Sequence, residues 1–181
     1  MKLYRFSPIK DKQQLLEAIT YTHLACYQLC KQALGEYLLN AGNIGIFCHY
    51  DEEYECLITI RKGLTEPSDH PKTKYFQLYK PIIIDAQGDV PQATYTHLYI
   101  RQPDPYRSQV GDVDFYLDPD KYAELKRPLL SGEEVKGARI FPRNDLDMIE
   151  LYDPDIDALG YISTHKMATK VRIKISEETK L

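Results

Sequence analysis

Leu16, Ile19, His23, Cys26, Tyr27, Cys30, Leu34 and Leu38 follow one another mainly at steps of three and four. That spacing lines one face of a long amphipathic helix. Such a stripe must be buried, so the rest of the chain has to supply a broad apolar surface to receive it. Asp11 with Gln14 three positions later makes a capping-box-like start, and Asn40 and Gly42 mark an end, which sets the expected helix at 11–39.

The partner surface is legible further along. Residues 43–49 form a compact apolar run suited to a buried strand. Asp51 is placed as the cap of a second helix, 51–65, with Tyr54, Leu57, Ile58, Arg61 and Leu64 as its stripe and Pro67 beyond its end. After the Pro-, Ser- and Lys-rich segment 66–74 the texture turns extended. Strands are expected near 75–85, 94–101, 112–117, 137–141, 147–152 and 159–164, with a short one at 2–6, another at 170–175 and a short helix at 119–127. No repeat of 20–50 residues is visible in the sequence. Helices first and a meander of strands afterwards predict a single α+β domain over 1–181 with a flexible tail at 165–181. Helices 11–39 and 51–65 would cover one face of a twisted, mainly antiparallel sheet of about six strands.

A formal charge of −4 gives no global attraction to phosphate backbones or anionic lipid. No stretch approaches the roughly 18 apolar residues of a membrane span. Neither nucleic acid nor membrane is therefore expected as a partner, and a cytoplasmic location is. Cys26, Cys30, Cys48 and Cys56 fall inside apolar periodic segments and read as reduced, buried thiols. A zinc site built on His23, Cys26, Cys30 and Cys48 is the alternative, but the wide Cys48–Cys56 spacing fits it poorly. Fifteen tyrosines without a tryptophan read chiefly as half-buried sheet positions.

Candidate chemistry gathers on the sheet. Strand alternation sends Leu98 and Ile100 to one face and Tyr95, His97, Tyr99 and Arg101 to the other. By the same rule Val113, Phe115 and Leu117 oppose Asp112, Asp114 and Tyr116. If the two strands pair across the loop 102–111, His97 and Arg101 share a polar face with Asp112 and Asp114, and Glu150 joins them. Two carboxylates two residues apart on a strand can hold a divalent cation, with histidine as a base and arginine as an anion clamp. A solvated face with cross-strand ion pairs is the plainer reading of the same pattern. The 102–111 loop, stiffened by Pro103 and Pro105, presents Tyr106 and Arg107 as groups able to stack and to hydrogen-bond.

Gly111-Asp112-Val113-Asp114-Phe115 resembles the aspartate-x-aspartate strand of nucleotidyltransferases, yet Arg107-Ser108 stands where that family's Gly-Ser helix start belongs. His97-Leu98-Tyr99-Ile100 with Glu150-Leu151-Tyr152-Asp153-Pro154-Asp155 resembles the histidine-first, glutamate-last metal pair of glyoxalase-type folds. The paired βαβββ modules of those folds are not visible in the sequence, and neither family is adopted.

The expected role is a binding or interaction module for a small anionic molecule or a protein partner, with no cofactor required. Arg101 and Arg107 would supply charge-assisted bonds and Tyr106 a stacking face. One alternative is a metal-assisted hydrolase, or a nucleotidyl or phosphoryl transferase, with Asp112, Asp114 and Glu150 on a divalent metal and His97 as base. Another is a structural subunit of a homo-oligomer without a ligand.

Overall fold

The computed structural model describes residues 4–39, 41–68, 70, 72–143 and 145–172. Asp11 accepts a hydrogen bond from the Gln14 backbone N–H (2.9 Å), while the Gln14 side chain accepts from the Lys10 N–H (2.8 Å). These bonds close the start of α1, Lys12–Leu34. The helix stops short of the expected 39 because Gly35 takes φ 75° and turns its N–H back to the Lys31 carbonyl. Next come β1 (Ala41–Phe47) and α2 (Asp51–Lys62), where Tyr50, not Asp51, is the cap residue. Then follow β2 (Phe76–Ile84), β3 (Ala93–Arg101), β4 (Gly111–Leu117), α3 (Pro119–Leu130), β5 (Ala138–Ile140), β6 (Ile149–Leu151), β7 (Ala158–Thr164) and α4 (His165–Val171).

The seven strands form one sheet in the order β2-β3-β1-β4-β7-β6-β5. It is mixed, which corrects the mainly antiparallel, six-strand expectation. β1 pairs parallel with β3 and β4 parallel with β7, whereas β1 meets β4 antiparallel at the centre. A helical crossover follows both β1 and β4, and such connections are what allow parallel neighbours. The expected pairing of β3 with β4 across the 102–111 loop does not occur, because β1 lies between them.

The order also contains a duplication hidden in the sequence. β4-α3-β5-β6-β7 is a strand, a helix and a three-strand meander whose last strand returns beside the first. β1-α2-β2-β3 repeats that plan with its outer strand reduced to Thr65, bridged to Leu78. Glu66 N–H donates to Gln77 O (2.8 Å) and Tyr79 N–H to Leu64 O (3.0 Å), so these few residues hold the place that β5 holds in the other unit.

Two further expectations change. Residues 4–6 form no strand, and the start of the expected strand 2–6 lies outside the described residues. In place of a strand at 170–175, α4 runs to Val171, and 173–175 lie outside the described residues, as does the rest of the expected tail to 181.

Ile44, Ile46, Leu98, Ile100, Val113, Phe115, Ile149, Leu151 and Ile162 all enter one core with the buried stripe of α1. Helix α1 contacts β1, β4, β6 and β7, and α2 contacts β3. The four cysteines are unbridged; Cys26, Cys30 and Cys48 are buried, and the Cys26 thiol donates to Leu159 O (3.1 Å). His23 is fully buried, and desolvation pushes its imidazole down to about 4, so it is neutral at physiological pH. Its Nδ1 lies 2.8 Å from the Tyr95 hydroxyl. Tyr95 therefore reaches α1 in the core rather than joining His97, and a register shift where β2 pairs with this part of β3 marks the break in alternation. No helix among the described residues is long and apolar enough to cross a membrane.

At the centre, a Cβ added to Gly111 would lie 2.1 Å from the Gly45 carbonyl oxygen, a backbone atom that cannot swing away. Gly111→Ala is thus expected to cost about 1–3 kcal/mol, the usual penalty for overpacking a filled interior. Urea unfolding checks this, and an unchanged midpoint would mean that the β1–β4 contact is looser than described.

Candidate functional site

The second face of the sheet is also covered, though more thinly. Phe47, Met148, Leu159 and Tyr161 make a small separate cluster there, with Phe141, Leu146, Tyr152 and Met167 packed around it. Between this cluster and the segment leading into β2 lies a cleft of about 410 Å³. Its walls include Tyr75, Tyr99, Tyr161 and Phe141; Asp112 and Asp114 line it; Arg101, Arg107, Arg143, Lys72, Lys74 and Lys170 bring positive charge to it. The period-two alternation of β4 aims both aspartates into the cleft while Val113 and Phe115 enter the core.

This is not an open wet face: Asp112 is 6% and Asp114 2% exposed. Asp114 Oδ2 accepts from Asn43 Nδ2 (2.9 Å) and more loosely from the Tyr116 hydroxyl (3.4 Å). The Asn43 amide is fixed in turn by Arg172, whose Nε donates to Asn43 Oδ1 (2.6 Å). Gly42 leaves room for that guanidinium, since a Cβ there would lie 2.5 Å from Arg172 Nη2. Asp114 Oδ1 is buried and has no partner within hydrogen-bond geometry, although the Tyr75 phenol adjoins this carboxylate and favours its charged form. Asp112 receives no side-chain hydrogen bond among the described residues. Gly45, opposite it in register, leaves space for the carboxylate: a Cβ there would sit 2.1 Å from Asp112 Oδ1.

Burial pushes both carboxyls up, and for Asp112 the nearby Asp114 charge pushes further in the same direction. Arg101 and Arg107 pull Asp112 partly back. For Asp114 the hydrogen bonds from Asn43 and Tyr116 and the adjoining Tyr75 phenol oppose the shift, followed by the Arg172 charge. Of the two, Asp112 is the group pushed further up, because the Asp114 charge adds to its desolvation and no side-chain hydrogen bond among the described residues opposes the shift.

Arg101 and Arg107 both line the cleft. Arg101 Nε donates to Asp104 Oδ2 (2.9 Å), and its guanidinium lies over the Phe47 ring at 5.2 Å. Arg107 Nη1 lies 3.7 Å from Glu150 Oε2. Tyr106, by contrast, is 90% exposed and stands outside the cleft. Glu150 is 1% exposed and committed to structure: Arg139 bonds its Oε1, with Nε at 2.9 Å, and the Tyr161 hydroxyl donates to Oε2 (3.1 Å). His97 shares the polar face, aligned with Asn43 on β1, and its Nδ1 lies 2.9 Å from Thr96 Oγ1; it does not line the cleft. No group of three His, Cys, Asp or Glu side chains among the described residues could hold a metal ion. Sequence reasoning missed Tyr75, Asn43 and Arg172, which come from three separate segments with no local signal linking them.

No family model matches the chain, and no curated protein matches it. Among solved structures, one described as protein EC4020 is 14% identical, over 94% of this chain and 98% of that one, with a TM-score of 0.53. At that identity the likeness is one of fold. A Streptomyces coelicolor methylmalonyl-CoA epimerase in complex with 2-nitronate-propionyl-CoA is 18% identical over 70% of this chain and 98% of that one, with a TM-score of 0.30. A second variant of the same enzyme is 20% identical, again with a TM-score of 0.30. Likeness that loose carries no argument. The topology stands by itself: two strand-helix-meander units lie side by side, the outer strand of one being reduced to the Thr65 bridge. Of the residues that resembled the metal pair of glyoxalase-type folds, His97 lies on β3 and Glu150 on β6, and neither lines the cleft.

A carboxyl whose native pKa is raised binds its proton more tightly folded than unfolded. Above the unfolded value of about 3.9 the ionised group therefore costs stability, and the cost grows with pH until the native pKa is passed. Asp112→Asn is expected to match the parent at pH 4 and to gain a progressively higher melting temperature toward pH 7. A difference that does not widen with pH would show that the Asp112 carboxyl is not pushed up.

Proposed function

We propose that the chain is a small-molecule-binding module whose ligand is an anion seated in the cleft against Arg101 and Arg107. The observation that carries this is the convergence of those two arginines, from β3 and from the 102–111 loop, on an aromatic-walled cavity of about 410 Å³. A cavity of that size suits a small organic molecule. Guanidinium groups provide planar, charge-assisted bonds to a carboxylate or phosphate, and Tyr75, Tyr99, Tyr161 and Phe141 offer apolar surface to the ligand body. The further cations Lys72, Lys74 and Lys170 raise the local potential that draws an anion in, whereas Arg143 is paired with Asp145.

A metal-dependent hydrolase or transferase is less well supported, because Glu150 is spent on Arg139 and Tyr161 and no three-ligand group is assembled among the described residues. As for location, a cytoplasmic protein remains our reading from composition, and no observation bears on a homo-oligomer.

Thermal shift with a panel of short mono- and dicarboxylates and inorganic phosphate tests the site. Arg107→Ala is expected to remove most of any ligand-induced rise in melting temperature. It should change ligand-free stability by less than about 1 kcal/mol, since its contact with Glu150 is long and Arg139 and Tyr161 remain. An undiminished ligand response in this variant would discard the assignment.

A further inference from the structure

Two of the acids that line the cleft lie deep in it. Asp112 and Asp114 are almost wholly buried, whereas Asp145 is exposed and paired with Arg143, and the side chains of Arg101 and Arg107 retain 33% and 24% exposure. An anion held by the arginines therefore has a second group to satisfy further in: a pair of carboxyls two residues apart on one strand, sharing a face. Asp114 Oδ1 is buried with no partner within hydrogen-bond geometry, and Asp112 has no side-chain donor among the described residues, the Gly45 backbone N–H being the group that answers it. Native interiors rarely leave acceptors in that state, and a buried carboxylate without a partner is costly.

Resting on the anion-binding reading above, we propose that the ligand is a small zwitterion: its carboxylate meets Arg101 and Arg107, and its protonated amine is received by Asp112 and Asp114. An α-amino acid with an apolar or aromatic side chain has this chemistry. The ammonium supplies donors that the floor lacks and relieves the repulsion between the two carboxylates, while the aromatic walls take the side chain. The two ends of such a molecule are close together, and Arg101 and Arg107 are near enough to Asp112 to favour its charged form. A bare metal ion would answer the same pair, but no third ligand stands ready among the described residues.

The reading fixes a direction for pH. Asp112 is faced by Asp114 on its own strand, by Tyr99 and Arg101 of β3, by Arg107 of the loop and by Tyr161 of β7. Tyr75 of the segment before β2 and Tyr116 of β4 also face it, as does Cys26 of α1 from the other side of the sheet. The phenols and the thiol are all pushed upward, chiefly by burial, and stay neutral, so the charges that matter are the two arginines and Asp114. An ammonium selects ionised Asp112, so binding releases a proton and tightens as pH rises through the titration of that carboxyl. A simple carboxylate gains nothing from that ionisation.

Isothermal titration of the wild-type chain with L-phenylalanine, 3-phenylpropionate and phenethylamine, repeated at several pH values, tests this. L-Phenylalanine is expected to bind at least about tenfold more tightly than either half-molecule, with affinity rising with pH and proton release seen as buffer-dependent heat. Asp112→Asn should lose that advantage while keeping 3-phenylpropionate. If 3-phenylpropionate binds the wild type as tightly as L-phenylalanine, or magnesium alone stabilises the protein as well, the zwitterion is overturned and the anion site stands. If no compound binds at millimolar concentration, both readings fall. The pH series on the wild type decides the matter even where the variant does not fold.

Discussion

The sheet closes at its centre because two backbones meet there with little side chain between them. β1 and β4 run antiparallel, and each contributes a glycine to the seam: Gly111 abuts the Gly45 carbonyl, and Gly45 yields its own side-chain space to the Asp112 carboxyl. Everything else in the architecture hangs from that line. Each unit packs its last meander strand parallel against its share of the seam, β3 on β1 and β7 on β4, and α1 lies across the joint with contacts to β1, β4 and β7. The same two glycines thus join the halves and make room for the acid that lines the cleft, so fold and site are one constraint.

Covering both faces of the sheet has an electrostatic consequence. A row of polar residues on an antiparallel face is usually paid for by water; here the small cluster around Phe47, Met148, Leu159 and Tyr161 removes much of it. The buried groups must then be answered by protein. Glu150 is answered fully by Arg139 and Tyr161, with Arg107 nearby. Asp114 is answered on one oxygen through Asn43, which Arg172 orients from the end of α4. Asp112 is answered least.

Much of this was legible in the sequence, and the part that was not has physical reasons. Period-two alternation placed Asp112 and Asp114 on one face with Arg101, because alternation is a local property of extended backbone. It could not say that β1 separates the strands carrying them, since parallel pairing joins residues far apart in sequence and leaves no turn signal. The duplication escaped notice because one unit's outer strand survives only as the Thr65 bridge. Alternation also reads the same whether a polar face is wet or covered, so the burial of both aspartates was invisible. The strand expected at 170–175 begins instead as the end of a helix, which runs to Val171, and the position of Arg172 beside Asn43 belongs to tertiary structure alone.

What separates the two aspartates is their company and not their chemistry. They share a strand, a face and nearly the same burial, so desolvation treats them alike. Asp114 has an amide and a phenol holding one oxygen, and a guanidinium behind the amide, all of which favour its charged form, while its other oxygen is a buried acceptor with no partner within hydrogen-bond geometry. Asp112 has a glycine opposite it, a like charge beside it and two arginines occupied in part by Asp104 and Glu150. Burial and that like charge press the Asp112 carboxyl toward its protonated form, and a cation entering the cleft would oppose both. The pair therefore combines an acceptor that side chains hold on one oxygen with one that no side chain among the described residues holds, an arrangement that a structural role does not need and a ligand-binding role does.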